Sequence, residues 1–345
     1  MKLSMALGYA GGFKESASQA VALEAAGIDT VWVAEAYGFD GVSLMGYLAA
    51  VTDRVGIGSA ILPIYTRTPS LLAMTAAGVD MLSDGRCILG LGASGPQVIE
   101  GFHGVPYTVP LQRTREIIEV CRSAWKRERL TYDGRTVTLP LPPDQGTGLG
   151  KPLKMITTPV RDRIPIYVAS LGPRNVEMTA EVADGWLPIF FVPERAGEVW
   201  KDSLAAGAAK RPDDLAPLEV VAGGLVAVGD EAAKLRDLMR PMVALYVGGM
   251  GARGRNFYND LVKRYGYEAE AELIQDLYLD GKKDEAAAAV PEELLEKTTL
   301  CGPEGYVRER LAAYKEAGVT SLNVNPVAED VPALVTRLKT WMADL

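Results

Sequence analysis

Four groups of residues have types and spacings suited to chemistry. Gly90-Leu-Gly92-Ala-Ser-Gly95 has the G-x-G-x-x-G spacing that lets backbone approach a pyrophosphate. A dinucleotide fold also needs a helix opening at the third glycine and an acidic residue ~20 positions on, ending a second strand. Here residues 96–100 are followed at once by Gly101, Gly104, Pro106 and Pro110, while Glu116 and Glu119 fall in a helical stretch. The better reading is a glycine loop ending a barrel strand, open to a flat ligand. In Ser170-Leu-Gly-Pro-Arg-Asn175, Pro173 suits a first helical position. The free N–H groups there, the helix dipole and Arg174 would hold a phosphate; a plain strand-to-helix turn is the alternative. Glu35, with Tyr37 behind it, ends a strand; such a carboxylate is either a structural acceptor or, on a barrel rim, an acid or base. His103 lies in a Gly-flanked loop, as a proton donor near neutral pH or an exposed loop residue.

Composition narrows the chemistry. His103 is the only histidine in 345 residues, which excludes a His-rich metal site, and no nucleophile-elbow motif accompanies it; no metal is expected. With 36 Lys+Arg against 44 Asp+Glu the net charge is −8, which disfavours nucleic acid as a partner. Cys87, Cys121 and Cys301 are odd in number and widely spaced, as expected of reduced thiols in a cytoplasmic protein. No apolar run approaches the ~18 residues that span a bilayer, so no membrane partner is expected.

These groups must be held by a recurring βα pattern. Strands are expected at residues 3–7, 30–34, 55–61, 87–91, 166–169, 185–189, 218–228 and 321–324, most with a helical segment behind them. Eight such strands fit a (β/α)8 TIM barrel better than a doubly wound sheet, as one domain over residues 1–345. Two insertions interrupt it. Residues 127–165 contain an alternating stretch around Asp133-Gly134, a hairpin signal, followed by a Pro/Gly-rich loop. Residues 229–318, between strands seven and eight, read as mostly helical; their acidic run at 268–297 is either a solvated insertion or a lid over the barrel mouth.

Read together, Val31-Trp-Val-Ala-Glu35, residues 58–63, 90–96, 131–139 and 169–175, and Ala183-Asp-Gly-Trp186 resemble, in order and spacing, the luciferase-like TIM barrels. The resemblance spans the whole chain and is to the branch that uses coenzyme F420, a deazaflavin. It implies an oxidoreductase that moves a hydride between the deazaflavin C5 and a small organic substrate, whose identity the residues do not give. It implies a non-prolyl cis peptide at Ser59-Ala60, with Ile61, behind the central ring of the cofactor. Gly92, Ala93, Ser94, Gly95 and Gln97 would lie along the ring and side chain. Ala169, Ser170, Leu171, Gly172, Pro173, Arg174 and Asn175 would hold the phosphate, with Trp186 beside them, and Glu35 would meet the polar edge of the ring. Members acting on sugar phosphates carry a His directly after that acidic residue, where Ala36 stands here. The acid/base role then falls to Glu35, His103, Tyr37 or Tyr65. A monooxygenase of the same family using FMN, and a non-catalytic deazaflavin-binding protein, are the alternatives. A homodimer through the outer helices is the assembly the resemblance implies.

Overall fold

A computed structural model describes residues 1–8 and 12–345. The strands are β1 (Lys2–Ala6), β2 (Thr30–Val33), β3 (Gly56–Ser59), β4 (Leu62–Pro63), β5 (Cys87–Gly92), β6 (Tyr132–Asp133), β7 (Thr138–Leu139), β8 (Ile166–Val168), β9 (Gly185–Trp186), β10 (Glu219–Val228), β11 (Leu300–Gly302) and β12 (Ser321–Pro326). Eight of them close a parallel barrel in the order β1-β2-β3-β5-β8-β9-β10-β12, with β12 back on β1. β4 continues the third barrel strand on the far side of a break, and β11 extends the sheet beyond the upper end of β10.

The period-two alternation of each strand sorts residues between the lumen and the surrounding helices. Val31, Val33, Ile57, Leu89, Leu91 and Val168 belong to the large apolar cluster shared with the helices. Trp32, Tyr167 and Val221 form a separate cluster with Ala6, Ala60, Ile88 and Leu187, one from nearly every strand, which fills the lumen. Two glycines make room for its rings. A Cβ on Gly58 would sit 2.2 Å from the Trp32 ring, and one on Gly185 would sit 2.6 Å from Tyr167. The two rings lie 5.7 Å apart and plug the barrel below its C-terminal mouth.

Elsewhere the structure departs from simple expectation. The third strand breaks at a cis peptide, which is Ala60-Ile61 and not Ser59-Ala60; the break lies one residue further on. A helix of six residues, Pro96–Gly101, does open directly after Gly95, although its strand belongs to a closed barrel. The hairpin turns over four residues instead of the two of an Asp-Gly turn, because the buried Glu116 carboxylate draws the loop inward. That carboxylate accepts from the N–H groups of Arg135 and Thr136 and from the Thr136 hydroxyl. In the stretch between β10 and β12 the acidic run forms helices Glu268–Leu279, Lys283–Ala288 and Glu292–Thr298. Ile274, Ala286, Leu294 and Leu295 bury completely there, so one face of the run is core and the charges lie on the other. Among the described residues no helix is long and apolar enough to cross a membrane.

Candidate active site at the barrel mouth

The floor of the mouth comes from small residues. Ala60 faces the lumen at the break in strand three, and a Cβ on Gly92 would lie 2.7 Å from the Ile61 side chain. Ala169 is tied alongside by its N–H to the Leu91 carbonyl. Ile61 thus covers Gly92, while Ala60 and Ala169 keep the side chains short where a planar group would rest. Ser59, expected at the cofactor, is instead spent on the strand pair. Its hydroxyl donates to the Gly90 carbonyl and accepts from the Gly90 N–H, both at 2.8 Å, and it is fully buried.

The turn after β8 leads into the helix Pro173–Val182, with Pro173 at the first turn. Among the described residues the N–H groups of Leu171, Gly172 and Arg174 have no acceptor, and Asn175 Oδ1 is buried without a partner. The Arg174 side chain is exposed and pairs with no described carboxylate. An anion would complete such a turn. Two of the expected contacts point elsewhere. The Ser170 hydroxyl bonds the Thr179 hydroxyl at 2.9 Å, inside the helix layer. Trp186 lies outside the lumen, packed edge-on to Trp200 at 5.0 Å, because strand parity turns Gly185 and Leu187 inward and Trp186 outward. Its indole N–H donates to the Ser170 carbonyl at 2.9 Å, so it braces the turn from behind.

Glu35 has a partner that the sequence did not announce. Arg67, beyond β4, donates Nη1 to Oε1 at 2.6 Å and Nη2 to Oε2 at 2.9 Å. The Gly41 N–H adds a third bond to Oε2 at 2.9 Å, and Arg67 Nη2 also reaches Asp40 at 2.7 Å. The hydrogen bonds to Glu35 raise the Arg67 pKa further, so it stays charged. For Asp40, burial alone would raise the pKa, but two bonds from Ser43 and the Arg67 charge bring it below the usual value. A carboxylate with both oxygens engaged is less readily placed to accept a proton, which favours His103 over Glu35 for the acid/base role.

The other expected proton carriers converge on one side of the rim. Tyr37, after β2, lies 6.2 Å from Phe102, which meets His103 edge-on at 5.1 Å. His103 Nε2 is buried with no hydrogen-bond partner. Tyr65 is committed to structure. Its hydroxyl donates to the Thr108 carbonyl at 2.8 Å, and burial pushes its pKa up to about 12. Arg113, unnoticed in the sequence, lies 5.0 Å over the Tyr65 ring, its Nε buried and unpartnered. Ser94, in left-handed conformation (φ 57°), Gly95 and Gln97 flank this rim, and Tyr107 donates to the Ser94 carbonyl at 3.4 Å. Ala93, between Gly92 and Ser94, packs against the main core.

The profile of the luciferase-like monooxygenase family matches residues 1–321. A putative coenzyme F420-dependent oxidoreductase of Mycobacterium tuberculosis is 42% identical over 331 residues, covering 94% of each chain. The 5,10-methylenetetrahydromethanopterin reductase of Archaeoglobus fulgidus is 27% identical over 315 residues, covering 89% of this chain and 88% of its own. Among solved structures, the F420-dependent tetrahydromethanopterin reductase of Methanopyrus kandleri superposes with a TM-score of 0.81 at 20% identity, over 99% and 98% of the two chains. A type II Baeyer-Villiger monooxygenase of Pseudomonas putida holding FMN superposes at 0.66 and 19% identity, over 98% and 95%. At those identities the two structures establish the shared fold.

Proposed function

The chain belongs to the luciferase-like monooxygenase family, and from that premise we propose that it is a coenzyme F420-dependent oxidoreductase acting on a small organic substrate. The observation that carries this reading is the pairing of a floor of small residues, Ala60 and Ala169, with the unfilled amide turn at Leu171–Arg174. A planar ring system bearing a phosphate side chain matches both parts at once. FMN shares those features; the 42% identity to an F420-dependent relative is what favours the deazaflavin.

When bound, the deazaflavin supplies hydride transfer at C5. The chain's own residues bind, orient and manage the proton. The N–H groups of Leu171, Gly172 and Arg174 would receive the phosphate, and the Ala60-Ile61 backbone would support the ring system. Arg67 fixes Glu35 and so the loop after β2 at the rim. His103, its Nε2 unpartnered beside Phe102, holds or gives the substrate proton, with Tyr37 next to it. The three cysteines are free and buried, consistent with a reducing cytoplasm. A homodimer through the helices Gly41–Val51 and Pro69–Leu82 is part of this proposal. Tyr47, Leu71, Met74, Met81 and Leu82 expose an apolar stripe there.

The test is turnover followed by the loss or gain of the oxidised deazaflavin absorbance with ketones, alcohols and enones, alongside nicotinamide cofactors. We expect turnover with the deazaflavin only, lowered ~10²–10⁴-fold by His103→Gln. Turnover with nicotinamide alone overturns the reading.

A further inference from the structure

We infer that the substrate recognised at this mouth has a neutral, apolar, ring-sized body, gripped by a collar of aromatic side chains. The inference deepens the proposed function and rests on it only in calling the bound molecule a substrate. Tyr37 and Phe102 are each 65% exposed, and Phe39 and Phe257 each 61%. Single exposed apolar side chains are common, but several aromatic ones gathered at one end of a barrel point to a binding site. Tyr37, Phe39 and Phe102 stand in the segments after the C-terminal ends of β2 and β5, the end where barrel enzymes bind ligands, and Phe257 opens the helix Phe257–Arg264 in the stretch between β10 and β12.

Their placement is continuous with the candidate site. The Tyr37–Phe102 pair joins the loops after β2 and β5, spanning the sector of β3 that carries Ala60-Ile61. Phe39 is braced edge-on by Phe13 at 5.6 Å. On the other side Phe257, supplied by the stretch between β10 and β12, lies against Gly172, where an added Cβ would be 3.5 Å from its ring. Rings brought by separate segments to the C-terminal end of the barrel suit a small molecule held between them rather than a flat protein face.

The carboxylates beside the collar already accept hydrogen bonds. Glu35 and Asp40 share Arg67, and the Glu100 carboxylate accepts from the Tyr107 N–H at 3.0 Å. A cationic substrate would have to displace one of these bonds, whereas an apolar one leaves them intact; of the nearby arginines, Arg113 is stacked on Tyr65 and Arg174 belongs to the turn assigned to the cofactor phosphate. On the Tyr37–Phe102 side His103 Nε2 is a buried hydrogen-bonding position with no partner among the described residues. It fits one carbonyl or hydroxyl on an otherwise apolar body.

The experiment is equilibrium binding of the neutral fluorophore N-phenyl-1-naphthylamine to the full chain. It is run on wild type, Phe102→Ser, Phe257→Ser, and a control pair of exposed apolar residues away from the mouth and the proposed dimer face, Val21→Ser and Ile156→Ser. Exposed positions such as these change stability little, and melting curves verify that each variant is folded. We expect saturable one-to-one binding, weakened about fivefold or more by each mouth variant and changed less than about twofold by the control pair. Displacement by 1-naphthalenemethanol should need far less ligand than displacement by glucose 6-phosphate. Absence of saturable binding, weakening by the control pair alone, or better displacement by the sugar phosphate overturns the inference. Deazaflavin binding is measured on the same preparations. A protein that takes the fluorophore at the collar but not the deazaflavin refutes the proposed function and upholds the apolar site. One that takes the deazaflavin but not the fluorophore does the reverse.

Discussion

Glu35 and Arg67 lie 32 positions apart in the chain and meet as a two-pronged ion pair, with bonds of 2.6 and 2.9 Å, both side chains largely buried. The pair ties the loop after β2 to the segment after β4, on either side of the strand-three break. A buried pair of this kind is costly to break singly, because the survivor keeps an uncompensated charge.

Arg67→Ala and Glu35→Ala should therefore each destabilise the fold by about 3 kcal/mol, and the double variant by much less than their sum. Chemical denaturation of the four proteins measures this. Additive losses would mean that the two side chains act independently. Glu35→Gln should lose both stability and turnover; a ~10²–10⁴-fold fall in turnover at unchanged stability would restore Glu35 as the acid or base.

Gly58→Ala should destabilise by about 1–3 kcal/mol, since its Cβ would enter the Trp32 ring at 2.2 Å. The Trp emission should change at the same time, because Trp32 must move within a lumen it shares with Tyr167. An unchanged melting temperature and spectrum would mean that the plug repacks freely.

Glu24 and Glu116 are two of the carboxylates that shape the acid limb of stability. Burial alone would raise the pKa of Glu24, but N–H groups of Arg54, Val55 and Asp53 lower it below the usual 4.5. Glu116 behaves alike: burial raises it, and bonds from Thr136, Gln112 and Arg135 more than offset that. The native state thus binds fewer protons than the unfolded chain. Stability is full above the unfolded values and falls as pH drops through the lowered ones. Melting temperature should decline from about pH 5 downward. Glu24→Gln and Glu116→Gln should flatten that decline while lowering stability at pH 7. A steeper acid limb in the variants would contradict the sign.

Met74→Lys combined with Met81→Lys, on the exposed face of the helix Pro69–Leu82, should halve the mass seen by light scattering and leave the fold intact. A wild-type chain already monomeric at micromolar concentration would refute the dimer.

Sequence pattern shows the barrel because each strand is a short β-branched or aliphatic run with a helix behind it, and Trp32 and Tyr167 sit on strands it marks. The amide turn at Gly172 is equally legible, since Pro173 announces a helix start. Other features are set by contacts remote in sequence. Nothing local tells that Arg67 will close on Glu35, or that the two-residue strand β9 presents Trp186 outward. The same holds for Ser59, whose hydroxyl is claimed by Gly90, 31 positions away. The collar is visible as letters, but its meaning comes from exposure. Phe102 in a loop reads as an anchor until the structure leaves it mostly bare.

The most direct test of the central claim is a pair of equilibrium titrations of the full chain with oxidised coenzyme F420 and with FMN, followed by quenching of Trp fluorescence. Gly172→Trp, which would meet the Phe257 ring and crowd the amide turn, serves as the second protein. The account predicts micromolar binding of the deazaflavin, at least about tenfold weaker binding of FMN, and loss of both in the variant. Tight FMN binding with no measurable deazaflavin binding, or deazaflavin binding indifferent to Gly172→Trp, would contradict it.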